Sequence, residues 1–422
     1  MLRIALFLVT ITAKADIVLI HAGELLAIPG NAPKSEQTIV IDGQRVVDVK
    51  DGFISLQEYG DHARVIDLSN QFVLPGLMDM HVHLQSELGP ENDSDDLKHS
   101  SQLMQMRSIK YGMITLLAGF TTVRDVGSSP QEIYALRDAI NRGWIDGPRV
   151  IAAGGVGITG GHADVSGVKP ELLELQTAKT ICDGPYDCRR AARRAIKFGA
   201  DLIKITSTGG VLTDRATGTG QQMEADELRE IVLAAKRMGR KVASHAHAEE
   251  GIIAALEAGV ASIEHGTYVG PEAIKLFKKT GAYLVPTLLA GDTVMKMAAN
   301  SDFMSDAIRQ KAARVGADMK DNFAKAYSAG VKVAYGTDSG VSRHGINAEE
   351  AVLMHEAGVS AMDVIKSATV NSADLLGMTD SIGTIEKGKY ADIIAVENSP
   401  LDDVKALLDV NFVMKSGKVH KN

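Results

Sequence analysis

Eight short apolar segments, spaced so that a helix fits after each, constrain this chain more than any other feature. They end at His83, Asp125, Gly154, Lys204, His247, His265, Pro286 and Asp338. Between them lie amphipathic stretches such as 224–240 and 307–330, with apolar residues at helical spacing. Strand and helix alternating eight times predict an α/β fold, a closed parallel (β/α)8 barrel of the TIM type over residues 75–377. Such a barrel needs about 250 residues, so a chain of 422 has material left for a satellite domain. Residues 16–74 and 378–422 both read as short β-type runs divided by turns, including Thr38 to Gly43, Arg45 to Val49 and Ala391 to Val396. One β-sandwich domain made from both chain ends, with the barrel inserted between them, is the economical arrangement.

Charge narrows the partners. The formal net charge of −8 comes from acidic and basic residues that are interspersed, with no basic block, which argues against nucleic acid or an anionic membrane surface. Beyond the N-terminus no apolar run is long enough to span a bilayer. A small-molecule substrate is compatible with these properties. Residues 1–15 combine Arg3, the apolar run Ile4 to Thr12 and the small-x-small site Ala13-Lys14-Ala15, as a secretory signal peptide does. That reading places the protein in the periplasm or outside the cell; the alternative is a buried first strand in a cytoplasmic protein. Cys182 and Cys188 flank Asp183-Gly184-Pro185 and either close a small disulfide loop or remain reduced and inert.

The chemistry of a parallel barrel belongs at the C-terminal ends of its strands. His81 and His83 are two apart, so in a strand both imidazoles face one point. Lys204 sits in the apolar run Ala200 to Ile205, His245 and His247 form a second pair, His265 ends the sixth segment and Asp338 the eighth. Each has a bland reading taken alone, as a satisfied buried histidine, a snorkelling lysine or a helix-capping aspartate. Seven ligand-type residues at one end of one barrel point to a metal centre.

Together with Leu74-Pro75-Gly76-Leu77-Met78-Asp79, Gly119 to Asp125 and Gly383 to Asp392, this pattern resembles the amidohydrolase superfamily from residue 16 onward. The resemblance implies two divalent ions, most simply zinc, with His81, His83 and Asp338 on one, His245 and His265 on the other, and Lys204 bridging. An ammonium has no lone pair for a metal, so Lys204 would have to be carboxylated by carbon dioxide, and its neighbours Leu202, Ile203 and Ile205 favour the neutral amine this requires. Water shared by the ions would become hydroxide and attack a carbonyl, with Asp338 carrying the proton to the leaving amine. Pairing His245 or His247 with Glu249 or Glu250 instead leaves Lys204 without a role.

Gly157-Ile158-Thr159-Gly160-Gly161-His162 and the doubled His245-Ala246-His247 resemble the branch of Xaa-Pro dipeptidases, arginine carboxypeptidases and ochratoxin hydrolases. The implied activity is release of a C-terminal amino acid from dipeptides or N-acyl amino acids. His162, His247 and Tyr268 are then the candidates for holding the carbonyl oxygen or the substrate carboxylate, with His247 and Tyr268 joining Asp338 as catalytic residues; support behind the ligands is the alternative for each. A cyclic-amide hydrolase of the imidazolonepropionase or dihydropyrimidinase type is the rival activity, and a barrel used only in assembly would have no need of six ligands. The resemblance also implies a homo-oligomer, with an octamer as one form. Specificity is expected from loops 165–186, 209–222, 288–302 and 339–347, with Asp164, Lys169, Glu171, Asp214 and Arg215 as charged candidates.

Overall fold

A computed structural model describes residues 17–59, 63–90, 95, 98–166, 168–213, 218–300 and 304–422, so the proposed signal segment 1–15 lies outside the described residues. The chain opens with β1 (Ile17–Leu25), β2 (Lys34–Asp42), β3 (Arg45–Asp51) and β4 (Arg64–Pro75). Gly76 alone separates β4 from the first barrel strand, β5 (Leu77–Val82). The barrel continues with β6 (Phe120–Asp125), β7 (Arg149–Ile158), the two-residue β8 (Ile181–Cys182), β9 (Leu202–Thr206), β10 (Val242–Ala246), β11 (Ser262–His265) and β12 (Tyr283–Val285). The chain closes with β13 (Ile393–Val396), β14 (Val410–Lys415) and β15 (Lys418–Lys421).

The two chain ends form one seven-stranded sheet in the order β15-β14-β13-β4-β1-β2-β3. It is mixed, because β1 and β4 run parallel while the other pairs are antiparallel. The sheet also curls back on itself. Val46 donates to the Lys389 carbonyl at 2.9 Å and receives from the Gly388 amide at 2.8 Å, so the outer strand β3 meets the segment that leads into β13. One continuous sheet thus supplies both walls around a core that includes Ile20, Ile39, Ile41, Phe412 and Met414. Alternation explains this: inward residues of β1 such as Val18, Ile20 and Ala22 are two apart.

Neighbouring strands β5, β6, β7, β9, β10, β11 and β12 are parallel and hydrogen-bonded in that order. The eighth segment differs from the regular strand expected there. Residues 332–339 close the barrel without a continuous ladder, pairing with β12 through Leu284 to Lys332 and Ala334 to Leu284, and with β5 through Met80 to Tyr335 and Asp338 to His81. Two amides are diverted from the ladder. Tyr335 donates to the Ser367 carbonyl at 3.1 Å, and Thr337 to the buried Asp79 carboxylate at 3.1 Å.

The segment read as loop 288–302 is mostly helical: Leu288–Asn300 is a helix followed by a second, Asp306–Ser328. The physical reason lies outside the loop. The Glu350 carboxylate accepts from the Leu288 and Leu289 amides at 2.9 and 2.6 Å, satisfying donors that a helix start leaves open. Cys182 and Cys188 are joined in a disulfide that ties β8 to helix Gly184–Lys197. Among the described residues no helix is long and apolar enough to cross a membrane.

Gly336 is where closure is tightest. A β-carbon there would lie 2.2 Å from Val285 Cγ1 and 3.2 Å from the His81 amide nitrogen. Gly336→Ala is therefore expected to force β12 and β5 apart, costing about 1–3 kcal/mol and lowering the thermal midpoint by several degrees. A midpoint equal to wild type by differential scanning calorimetry would refute this closure.

Candidate active site

The barrel mouth gathers the ligand-type residues into one cavity of about 410 Å³. His81, His83, His162, Lys204, His245, His247, His265 and Asp338 all line it. Their positions follow from the strands: β5 delivers His81 and the residue beyond its end, His83; β9 delivers Lys204; β10 delivers His245, with His247 just past it; and β11 ends on His265.

Asp338 is the focus. Its Oδ1 lies 2.9 Å from His83 Nε2 and 3.3 Å from His81 Nε2. Yet this buried oxygen makes no hydrogen bond of acceptable geometry among the described residues, and neither does the Thr206 hydroxyl in the same cavity. Burial would raise the Asp338 pKa, but His81 and His83 hold it well below the ordinary carboxylate range. His81, His265 and Asp338 bring ligand atoms within 4.8 Å of one another. An orphaned carboxylate oxygen among imidazole nitrogens fits a divalent cation better than it fits any hydrogen-bonded network.

Backbone conformation aims these side chains. His265, Thr287 and Asp338, near the ends of the last three barrel segments, have φ of 70°, 52° and 58°. Non-glycine residues reach that region at a cost of about 1–3 kcal/mol each and hold it where the surroundings demand it.

Hydrogen bonds fix the rings from behind. His265 Nδ1 pairs with the Thr287 hydroxyl at 2.7 Å, His247 Nδ1 with the Thr267 hydroxyl at 2.8 Å, and His245 Nε2 with the Gly209 carbonyl at 3.2 Å. His81 Nδ1 lies 3.0 Å from Glu264 Oε2, which directs its Nε2 toward Asp338. Burial lowers the pKa of His81 and His162 to about 4 and of His247 to about 3, keeping these imidazoles neutral and able to offer lone pairs. Burial also lowers the pKa of Lys204, against the opposing pull of Glu264 and Asp338.

Sequence reasoning did not identify the support behind Glu264. Arg124, 2% exposed, crosses the barrel interior and donates to Glu264 Oε1 at 2.8 Å, the Ser262 hydroxyl at 3.0 Å and the Met80 carbonyl at 2.6 Å. Burial would raise the Glu264 pKa, but Arg124 and His81 bring it down to about 2. Asp79 plays a similar part under Asp338, accepting from the amides of His81 and Thr337, the Thr337 hydroxyl and Asn347 Nδ2. A charged or carboxylate residue inside an otherwise apolar strand was the available signal.

Other expected residues fall elsewhere. His162 is in place, its ring 4.4 Å from that of His245, with its amide held by Gln222 and its Nδ1 by Thr213. Tyr268 is not among the residues lining this cavity. Its amide is tied to the His247 carbonyl at 2.9 Å, and the residue lines a neighbouring cavity of about 220 Å³ beyond Val315, together with Lys311 and Arg314. Asp164 closes its own turn through the Gly160 and Val165 amides, Lys169 precedes helix Pro170–Gln176 and Glu171 sits in its first turn; none lines the cavity. Glu249 accepts from the Ala273 amide at 3.2 Å, at the start of helix Pro271–Thr280, away from the imidazoles. Asp214 and Arg215 lie outside the described residues.

Residues 72–420 match the Amidohydrolase family. The chain belongs to that family. As an amidohydrolase it is a hydrolase, and the buried His81, His265 and Asp338 suit the divalent metals such enzymes typically use. It is 43% identical to a solved Xaa-Pro dipeptidase with methionine bound in its active site, with a TM-score of 0.91 over 96% of this chain and 100% of that one. A prolidase complexed with N-methylphosphonate-L-proline is 30% identical, with a TM-score of 0.86 over 96% of this amidohydrolase and 100% of that chain. Ochratoxinase from Aspergillus niger is 29% identical over 97% of this chain and 88% of its own.

Removing Glu264's charge leaves Arg124 buried and unpaired, a loss of about 3–5 kcal/mol. Glu264→Gln should therefore lower the urea midpoint sharply, and adding Arg124→Met to it should recover part of the loss. A single variant as stable as wild type would contradict the assignment of this pair.

Proposed function

We propose that this amidohydrolase releases a C-terminal amino acid from dipeptides or N-acyl amino acids, using two divalent ions, most simply zinc, and a carboxylated Lys204. The observation that carries this reading is the cavity itself. It sets His162 and His247, with polar ring atoms and no place in the implied ligand set, beside His81, His83, Lys204, His245, His265 and Asp338. The similarity to a dipeptidase that has methionine in its active site supports an amide next to a free carboxylate as the substrate.

Bound divalent ions would bring the pKa of a water ligand toward neutrality and polarise a carbonyl oxygen. His81, His83 and Asp338 would hold one ion and His245 and His265 the other. Lys204 is buried and burial lowers its pKa, which favours the amine that carbon dioxide would carboxylate; the carbamate would offer the ions two oxygens. Asp338 stays ionised and is the base that takes a proton from the attacking water and returns it to the leaving amine. His162 and His247 are neutral hydrogen-bonding groups beside that point and hold the substrate carbonyl or carboxylate. Tyr268, beyond Val315, is left to the neighbouring cavity.

Asp338→Asn retains an oxygen ligand but no base, so kcat should fall by at least about a hundredfold while metal analysis still finds bound ions. Unchanged turnover would move the proton to another group. Lys204→Ala should lose both metal and activity, with partial rescue by a short-chain carboxylic acid.

Exopeptidase action has its own test. Amidating the carboxylate of a good substrate removes a charge-assisted hydrogen bond worth about 1.5–3 kcal/mol and should lower kcat/KM by roughly ten- to a hundredfold. Equal rates for acid and amide would overturn the carboxypeptidase reading in favour of a cyclic amide.

A further inference from the structure

The floor and the roof of the cavity differ in kind. Every titratable lining residue belongs to the floor of strand ends and the loops just beyond them. The roof is apolar. Val294 from helix Leu288–Asn300, Ala312, Val315 and Met319 from helix Asp306–Ser328, and Leu212 and Val341 from two other loops face the same space. Val294 and Ala312 belong with Met304 to a hydrophobic cluster separate from the barrel core, with Leu212 and Val341 packed against it.

The two helices approach too closely to leave room for a polar insert. A β-carbon on Gly316 would lie 2.2 Å from Met295 Cγ. Lys311, one residue before Ala312, is engaged elsewhere, its Nζ donating to the Gly210 and Thr213 carbonyls at 3.1 and 2.5 Å. It thereby pins the segment that carries Leu212. Among the described residues, the charged groups that line this cavity all belong to the catalytic floor.

We propose that this roof is a specificity pocket for a bulky, uncharged, apolar group flanking the scissile amide, and that Val294 and Ala312 set the size of that group. The inference rests on the amide-hydrolase reading and adds the substrate class. A charged side chain would be desolvated there without a partner, a loss far larger than the gain from its methylenes. An aromatic, thioether or branched aliphatic group would instead bury apolar surface at about 25 cal/mol per Å².

The test is a kcat/KM panel on the zinc-reconstituted enzyme. One arm varies the released residue with a constant acyl group, and a second varies the acyl group with a constant released residue, which tells which flank stands under the roof. In the arm that occupies it, methionine-, leucine- or phenylalanine-like groups should exceed lysine-, arginine-, aspartate- and glutamate-like groups by at least about a hundredfold. Ala312→Leu should cost a phenylalanine-like group tenfold or more and an alanine-like group less than threefold. Val294→Ala should shift preference toward larger groups, and it carries the size test if Ala312→Leu fails to fold by circular dichroism.

Calorimetry with free L-methionine and L-lysine separates this inference from the reading beneath it. Turnover with no preference between apolar and charged groups on either flank overturns the roof and leaves the hydrolase. No turnover of any amide, with methionine binding at least tenfold tighter than lysine, overturns the hydrolase and leaves the roof. No turnover and equal binding of the two overturns both.

Discussion

The site depends on an ion pair buried in the barrel interior. Arg124 on β6 reaches Glu264 and Ser262 on β11 and the carbonyl of Met80 on β5, so one guanidinium joins β11 to two strands it does not pair with. Neither partner has water to fall back on, which makes the geometry strict. The second oxygen of Glu264 holds His81 Nδ1, leaving Nε2 for Asp338. The orientation of His81 is thus settled by a residue that does not line the cavity. Asp79 does the same for the segment that carries Asp338.

Strain is concentrated where this support is densest. Left-handed backbone at His265, Thr287 and Asp338 opposes folding locally, and the large apolar core beneath offsets it. The strain has a geometric product: His265 and Asp338 face the same point, and the hydroxyl of Thr287 backs the ring of His265. Closing the barrel by an irregular segment in place of a full strand belongs to the same trade. Amides that a ladder would have used are spent on Asp79 and Ser367.

The sequence made the barrel legible because strand-end residues recur with room for a helix between them, and apolar periodicity survives without knowledge of contacts. Seven ligand-type residues could be read for the same reason, since each falls at a segment end. Arg124 and Glu264 were hidden because they are 140 positions apart, and nothing local distinguishes a crossing arginine from one that snorkels. Helix Leu288–Asn300 looked like a loop because its start is completed by Glu350, about sixty residues later. Tyr268 follows His265 by three residues, and only the fold reveals that the turn carries it past Val315 into the adjoining cavity.

Floor and roof divide the work between chemistry and selection. The floor is built on strand ends backed by buried hydrogen bonds, a rigid base for the groups proposed to hold ions and move a proton. The roof is assembled from loops and a helix pair, where sequence can change without disturbing the floor. The central claim is that Lys204 joins two metal positions at the barrel mouth. Anomalous X-ray diffraction from crystals of the zinc-loaded protein tests it most directly. The account predicts two anomalous peaks, one against His81, His83 and Asp338 and the other against His245 and His265, with density extending from Lys204 Nζ between them. A single peak remote from Lys204, or an unmodified lysine with no peak at the mouth, would contradict it.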